Sequence, residues 1–194
     1  MVNVDDRVHR ARRGDIAAFN ELVLEHQGLV FNLCYRIIGQ RQAAEDVAQE
    51  AFLAAWRSIR GLRGDAFRPW LLRIAVNAAR DEQRRRGRRP STSLDMALEK
   101  GLPEPPEPGQ SPEGRLLDRE LRARLEVALQ TLPTDQRVAL VLCDVEGLDY
   151  AEIALATKTR LGTVKSRIAR GRARLRLALL SDPELLPRRF RQEG

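Results

Sequence analysis

The chain has few of the residues from which metal sites and disulfide frameworks are built. Of its 194 residues, two are cysteines and two are histidines. Cys34 and Cys143 lie far apart in apolar runs, and neither has a cysteine or histidine at metal-ligand spacing. Without a resolving cysteine or a neighbouring base, both are expected to be buried, reduced thiols and not redox sensors. His9 and His26 also lack a partner pattern, so we predict no metal site and no cofactor.

Long apolar segments and catalytic patterns are missing as well. No stretch approaches the roughly 18 uninterrupted apolar residues of a membrane span, and the start MVNVDDRVHRARRGD lacks the apolar core of a signal peptide. Paired carboxylates, a phosphate-cradling glycine loop and a nucleophile–base pair are not recognisable. We therefore expect a protein that is not an enzyme, does not insert into a membrane and is located in the cytoplasm.

What the chain has in excess is positive charge. The formal net charge is +7 and the pI is about 10.3, which indicates a polyanionic partner, with a membrane surface as the alternative to nucleic acid. Both halves are rich in alanine, leucine, arginine and glutamate, and neither shows strand alternation or hairpin-turn signals. This composition favours an all-α fold.

A proline-rich segment divides the sequence. Residues 103–114, PEPPEPGQSPEG, hold five of the ten prolines together with three glutamates, a composition that disfavours both helix and strand. We therefore predict two small helical domains, 10–90 and 115–180, joined by a flexible Pro/Glu-rich linker over 91–114.

The second domain contains the pattern of a helix-turn-helix in residues 149–179, DYAEIALATKTRLGTVKSRIARGRARLRLAL. Asp149 and Glu152 are spaced as a capping box that opens a short helix. A second helix is expected to begin near Gly162 or Thr163, with Thr163 as its cap. The turn holds no glycine, so either a non-glycine residue adopts the left-handed conformation or the turn has another shape.

The second helix of this pattern has a face suited to DNA. Residues 158–176 contain eight basic residues and no acidic one. An apolar stripe is formed by Val164, Ile168, Leu175 and Leu179, and the opposite face is formed by Ser166, Ala169, Arg170 and Ala173. Small side chains between long cations allow a helix to enter the major groove. A basic helix is often only a solvated face, but its position after a capped helix favours DNA reading.

In the first domain, residues 41–59, RQAAEDVAQEAFLAAWRSI, predict a helix with an acidic face. On a helical wheel an arc of roughly 140° is occupied by Gln42, Glu45, Asp46, Gln49 and Glu50. Leu53 falls inside this arc. An acidic face alone is frequently just solvated, but an exposed leucine with a carboxylate rim is typical of a surface that binds a basic protein partner.

Residues 60–89 form a second basic region, with ten arginines against three acidic residues. Polar side chains recur at helical spacing beside an apolar packing face, and they are Arg73, Asn77, Arg80 and Arg84. Asparagine and arginine can make paired hydrogen bonds to adenine and guanine, and the glycine-containing loop before this helix can admit an extruded base. Trp70 is expected to serve as core or strut.

Three motifs in this order resemble the extracytoplasmic-function group of bacterial sigma factors. AEDVAQEAFLAAWRSI is similar to the family's polymerase-binding helix, and FRPWLLRIAVNAARDEQRRRGR is similar to its promoter-melting and minus-ten segment. LPTDQRVALVLCDVEGLDYAEIA with GTVKSRIARGRARL resembles its minus-thirty-five domain. Thr157 and Lys158 stand where the family usually has leucine and glycine.

The resemblance implies a role for each surface. Binding to the coiled coil of the polymerase clamp is implied for Asp46, Gln49, Glu50 and Leu53. Reading and trapping the opened minus-ten strand is implied for Arg63, Phe67, Asn77, Arg80 and Arg84. Contact with the minus-thirty-five element is implied for Thr163, Lys165, Ser166, Arg167, Ala169, Arg170 and Arg174, of which Arg167 and Arg174 would meet phosphates.

The expected function is therefore that of an alternative sigma factor, with core RNA polymerase and promoter DNA as partners. An anti-sigma protein is a further partner that the resemblance implies, although no residue points to it. The alternative is a stand-alone helix-turn-helix regulator that dimerises through its first domain. The acidic arc with Leu53, which a simple repressor would not need, favours the sigma factor.

Overall fold

All regular structure in the described part of the chain is helical. The computed structural model describes residues 4–62, 64, 66–87 and 112–181. Within these residues the α-helices are α1 (Val4–Arg12), α2 (Ile16–Ile38), α3 (Arg41–Ser58), α4 (Phe67–Gly87), α5 (Pro112–Gln130), α6 (Thr134–Leu140), α7 (Tyr150–Thr157) and α8 (Leu161–Ser181). A 3₁₀ turn follows α3 at Ile59–Gly61, and a π-helical stretch follows α6 at Val141–Val145. The predicted all-α fold is confirmed.

The first domain is built around α2, which packs against α1, α3 and α4. Leu22, Val30, Leu33 and Ile37 are fully buried, because their spacings return them to one side of the helix. The helix begins where the Asp15 side chain accepts a hydrogen bond from the amide of Ala18 at 3.0 Å and ends at Gly39. The apolar sequence of α2 thus makes it the centre of this domain.

In the second domain α6 and α8 cross closely. A Cβ placed on Gly171 of α8 would lie 3.3 Å from the backbone oxygen of Gln136 in α6, so the missing side chain lets the two helices approach. Val138, Val164 and Ile168 are buried at this crossing or beside it. The apolar stripe predicted for the second helix of the helix-turn-helix therefore faces the core at Val164 and Ile168.

Several predicted helix boundaries differ from the structure. Helix α5 begins at Pro112, inside the segment predicted to be linker, because a proline needs no amide partner in the first turn of a helix. Helix α8 begins at Leu161, where the Arg160 carbonyl accepts from the amides of Thr163 and Val164. Thr163 therefore lies within the first turn and is not the cap. The amino-terminal helix α1 was not predicted.

The turn between α7 and α8 has the left-handed residue that was one of the two expected possibilities. Lys158 has φ 53° and ψ 45°, and the amide of Thr159 donates to the Ala154 carbonyl at 3.0 Å. Both hydrogen bonds of the capping box are present, at 2.8 Å to the Asp149 carboxylate and 2.9 Å to that of Glu152. The turn between the two helices therefore forms with a lysine, and not a glycine, in the left-handed conformation.

Substitution Lys158→Gly is expected to stabilise the chain by about 1 kcal/mol, because glycine adopts the left-handed conformation without the strain of a β-carbon. Urea unfolding of the full chain, followed by circular dichroism, measures this change. Arg176→Gly is the matched control, since it places glycine in the interior of α8 and should destabilise by roughly 0.5–1 kcal/mol. Loss of stability in both variants would contradict the strain at Lys158.

Candidate protein and nucleic-acid interfaces

The outer side of α3 carries the acidic surface, which we define as Asp46, Gln49, Glu50 and Leu53. All four side chains are exposed, and Leu53 is 55% exposed. The other side of the helix is buried through Ala44, Val47 and other small residues against the rest of the domain. This division places an apolar side chain within the arc of the acidic face and at its carboxy-terminal end, one turn after Gln49 and Glu50.

Helix α8, the second helix of the helix-turn-helix, has small and cationic side chains exposed to solvent. Lys165, Ala169, Arg170 and Arg174 are exposed, and Ser166 is half-buried. The Arg170 guanidinium donates to the Ser166 carbonyl at 3.1 Å and to the Ser166 hydroxyl at 3.0 Å. Arg170 therefore lies along the helix surface, from which it can turn outward without disturbing the core.

Arg167 and Thr163 differ from the rest of the predicted minus-thirty-five set. Both are half-buried, and Arg167 forms an ion pair with Asp135 in the first turn of α6. Because its guanidinium is directed toward α6, Arg167 does not share the exposed face of the recognition helix in this conformation.

The predicted minus-ten set is spread over α4 in different environments. Asn77 is half-buried, the Arg80 side chain is 17% exposed, and the Arg84 side chain is 68% exposed and pairs with Asp81. Arg63 lies outside the described residues. Helix α4 thus offers Arg84 to solvent while Arg80 is largely covered.

Phe67 is a correction to the sequence prediction. It is 2% exposed, and its ring meets the His26 ring edge-on at a centroid distance of 5.3 Å and the Trp70 ring at 5.8 Å. A ring enclosed in this way cannot stack on an extruded base. Phe67 instead anchors the start of α4 in the hydrophobic core. Its role was implied by the family resemblance alone, and its burial became apparent only from the three-dimensional packing.

The two domains touch along a domain interface that sequence patterns did not indicate. Helix α7 packs against α4, and the ends of α5 and α6 pack against α2. Arg36 pairs with Glu126 at 3.0 Å, and Arg68 donates to the Glu146 carbonyl at 2.8 Å and to its carboxylate at 3.3 Å. Pairs between such distant positions leave no periodic signal, so sequence reasoning missed them.

Burial sets the protonation behaviour of these acids. Burial raises the pKa of Glu126, and the same cause raises the pKa of Glu146, in each case against the opposing effect of nearby arginines. Desolvation disfavours a charged carboxylate, so each acid depends on its arginine partner to remain charged inside the interface. In this interface the favourable energy of the ion pairs is therefore opposed by the cost of desolvating the two carboxylates.

Both cysteines were predicted to be buried, and only Cys34 is fully so. Cys34 is fully buried, which raises the pKa of its thiol to about 12 and keeps it protonated. Cys143 is half-buried, with its sulfur 3.8 Å from the Arg172 guanidinium. Burial is the largest cause that raises the pKa of the Cys143 thiol.

Comparison with known proteins assigns the family. Residues 22–89 match the family described as Sigma-70 region 2, and residues 122–175 match Sigma-70, region 4. The RNA polymerase sigma-H factor of Pseudomonas aeruginosa is 42% identical over 89% of this chain and 91% of its own length. The chain belongs to the extracytoplasmic-function sigma factors. The ECF RNA polymerase sigma-E factor of Escherichia coli K12 is also similar, at 41% identity over 85% of this chain and 88% of that factor.

Two solved structures have a similar fold. CnrH, in complex with the cytosolic domain of CnrY, has a TM-score of 0.66 at 29% identity, covering 93% of this chain and 99% of CnrH. RpoE of Bartonella quintana, in complex with the anti-sigma factor NepR, has a TM-score of 0.64 at 26% identity, covering 84% and 98%. The protein is thus an alternative sigma factor that directs transcription initiation by core RNA polymerase, and the alternative of a stand-alone regulator is set aside.

None of the helices in the described ranges combines the length and hydropathy that a membrane span requires. This finding accords with the absence of long apolar runs in the sequence.

Substitution Phe67→Ala is expected to destabilise the sigma factor by about 3–5 kcal/mol, because it leaves a cavity in a closed aromatic contact. Urea unfolding of the full chain measures the loss. Phe31→Ala is the control, since that ring is only partly buried and stacks on Tyr35 at a centroid distance of 6.2 Å, and it should cost less. Unchanged stability of Phe67→Ala would restore the ring as a candidate base contact.

Proposed function

We propose that the acidic surface of α3 is the principal contact with the clamp coiled coil of core RNA polymerase. The observation that carries this proposal is the exposure of Leu53 between Asp46, Gln49 and Glu50. A leucine surrounded by carboxylates suits a partner with an apolar patch and a basic rim, in which burial of the leucine supplies affinity and the charges supply rate and register.

The promoter contacts are divided between the two domains. Helix α8 reads the minus-thirty-five element through Lys165, Ser166, Ala169 and Arg170, with Arg174 and Arg167 on phosphates and Thr163 at the start of the helix. Helix α4 and the loop before it read and hold the opened minus-ten strand through Asn77, Arg80 and Arg84 together with Arg63. The exposure of Lys165, Ala169 and Arg170 beside the buried Val164 and Ile168 supports the assignment to α8.

The proposed division into functional units is 10–90, 91–114 and 115–180, with the middle segment as linker between minus-ten and minus-thirty-five contacts. We assign no catalysis to the chain itself, because it supplies promoter choice to an enzyme that performs the chemistry. Its place of action is the cytoplasm, where polymerase and promoters are found. An anti-sigma protein is a further partner, supported by the similar structure of RpoE, a sigma factor in complex with the anti-sigma factor NepR. The similar structure of CnrH is also a complex with a second protein, the cytosolic domain of CnrY.

Substitution Leu53→Arg is expected to abolish co-elution with core RNA polymerase while the fold is kept, because it puts a cation on a surface that meets a basic partner. Size-exclusion chromatography of the mixture measures binding, and circular dichroism of the free protein checks the fold. Leu24→Arg is the control, since Leu24 is 68% exposed on α2 of the same domain, outside the acidic surface. Co-elution of Leu53→Arg at the wild-type level would overturn the assignment.

Substitutions Arg170→Ala and Arg174→Ala should have different signatures in reconstituted transcription. Arg170→Ala is expected to cost roughly 1–3 kcal/mol at promoters whose upstream bases it contacts and less elsewhere. Arg174→Ala removes a phosphate contact, so its loss should be similar on every promoter. Transcription with core polymerase on a promoter library separates the two patterns. A uniform loss for Arg170→Ala would reassign Arg170 to phosphate binding.

A further inference from the structure

Arg170 differs from the other exposed cations of the proposed minus-thirty-five set, because its own helix holds its guanidinium. The Nε atom donates to the Ser166 carbonyl at 3.1 Å, and Nη2 donates to the Ser166 hydroxyl at 3.0 Å. Lys165 and Arg174 are exposed on the same helix, and neither has a hydrogen bond or ion pair with another residue that the structure describes. Ser166 therefore gives Arg170 a direction that these two cations lack.

The Ser166 hydroxyl is held in place as well. It donates to the Thr163 carbonyl in the first turn of α8 at 3.0 Å, and the Ser166 side chain is half-buried. A hydroxyl has a single proton beside its acceptor lone pairs. Because that proton lies on the bond to Thr163, a lone pair faces Arg170 and no proton remains for an acceptor on a base edge. In this arrangement Ser166 holds Arg170 and cannot donate to DNA itself.

The part of the guanidinium that Ser166 engages decides which part is free. Nε and Nη2 form one side of the planar group, and both donate to Ser166. The end of the group, formed by Nη1 and the second N–H of Nη2, has no partner among the described residues. Such a pair of N–H groups matches the O6 and N7 acceptors of guanine, the commonest specific contact of arginine in the major groove. The free end is therefore the edge that can read a base.

Among the described residues of α8, no other side chain fixes this direction. Ala169 and Ala173 flank Arg170 on the exposed face and carry only methyl groups. Arg167, one turn before Arg170, is directed toward α6, where it forms its ion pair. The direction of the Arg170 guanidinium thus depends on Ser166.

Serine is not the residue that helix stability favours at this position. Its helix propensity is lower than that of alanine, and a serine hydroxyl that bonds back to the preceding turn slightly destabilises a helix. Positions 169 and 173 on the same face are both alanine. The hydroxyl at position 166 therefore has a local cost, which favours a role in function over a role in folding.

We propose that Ser166 is a positioning residue, which orients Arg170 for end-on recognition of a guanine and makes no base contact of its own. The inference rests on the proposed promoter role of α8 and deepens it, because it divides base contact and orientation between Arg170 and Ser166. A long arginine side chain loses rotational freedom when it binds. Ser166 removes part of that freedom before DNA is met, so that less is lost in the complex.

Substitution Ser166→Ala tests the proposal in transcription reconstituted from core polymerase and the full chain, on a library that varies each base pair of the minus-thirty-five element. Selectivity for guanine is expected to fall by roughly three- to tenfold, the cost of ordering one long side chain. The fall should occur at the base pair at which Arg170→Ala lowers selectivity. The double variant should lose no more than Arg170→Ala alone, because the serine acts only through the arginine.

Ser166→Thr and Ser181→Ala are the controls. Threonine keeps the hydroxyl and can bond to a carbonyl of the preceding turn, so Ser166→Thr should restore most of the selectivity. Ser181 also bonds back within α8, to the Leu177 carbonyl at 2.8 Å, with no arginine of the described residues on its hydroxyl, so Ser181→Ala should leave selectivity unchanged. Thermal unfolding should show Ser166→Ala to be at least as stable as the wild type, which a purely structural serine would not allow.

The orientation is measured without DNA by nuclear magnetic resonance of the free, full-length protein. The Nε–H signal of Arg170, identified by its absence in Arg170→Lys, should exchange with water more slowly than that of the exposed Arg174. Ser166→Ala should bring the two exchange rates closer together, because the hydroxyl no longer accepts from Nη2. Equal rates in the wild type would overturn the orientation.

The outcomes separate this inference from the proposed function. A base-specific loss in Arg170→Ala with unchanged selectivity in Ser166→Ala would overturn the positioning role and leave the promoter role of α8 intact. A loss in Ser166→Ala at a different base pair, additive with that of Arg170→Ala, would overturn it as well, since Ser166 would then contact DNA itself. A uniform loss for Arg170→Ala on every promoter would show that the proposed base contact is wrong, and guanine recognition would fall with it.

Discussion

The position of the second domain on the first depends on one buried arginine. Arg137 of α6 is almost fully enclosed, and it donates to the Ile37 carbonyl at 2.6 Å, the Gln130 carbonyl at 2.8 Å and the Leu132 carbonyl at 3.0 Å. Ile37 is in the last turn of α2, where unpaired carbonyls and the helix dipole favour a cation. Burial lowers the pKa of Arg137 to about 10, which still leaves it charged at neutral pH. A single cation thus satisfies the end of a helix in each domain.

The contacts around Arg137 also make the domain interface specific. Gln130, beside Arg137, donates to the Arg36 carbonyl at 3.0 Å, and its side chain would clash with a Cβ at Gly39. The left-handed φ of 82° at Gly39 and the absence of a side chain there are therefore both required. The interface also has an apolar part, because buried side chains of both domains belong to one continuous hydrophobic cluster.

The sequence was sufficient for features that depend on local periodicity or local hydrogen bonds. The all-helical fold, the capping box at Asp149 and the exposure of Leu53 could all be predicted, because each depends on residues within a few turns of one helix. The domain interface could not, since Arg36 and Glu126 or Arg80 and Asp135 are brought together only by the fold. Phe67 was misplaced for the same reason: its neighbour His26 comes from another helix. Helix α1 was missed because its buried side, Val8 and Ala11, is small and surrounded by charged residues.

The acidic residues of α3 lie in a different environment from Glu126 and Glu146 of the domain interface. Those of α3 are exposed and available to a protein partner, whereas Glu126 and Glu146 are enclosed against arginines of the first domain. In the free protein Arg80 and Arg167 are both paired with Asp135. Lys165, Arg170 and Arg174 remain exposed and available to a polyanion. The net charge of +7 thus overstates the cationic surface available to DNA in the free protein.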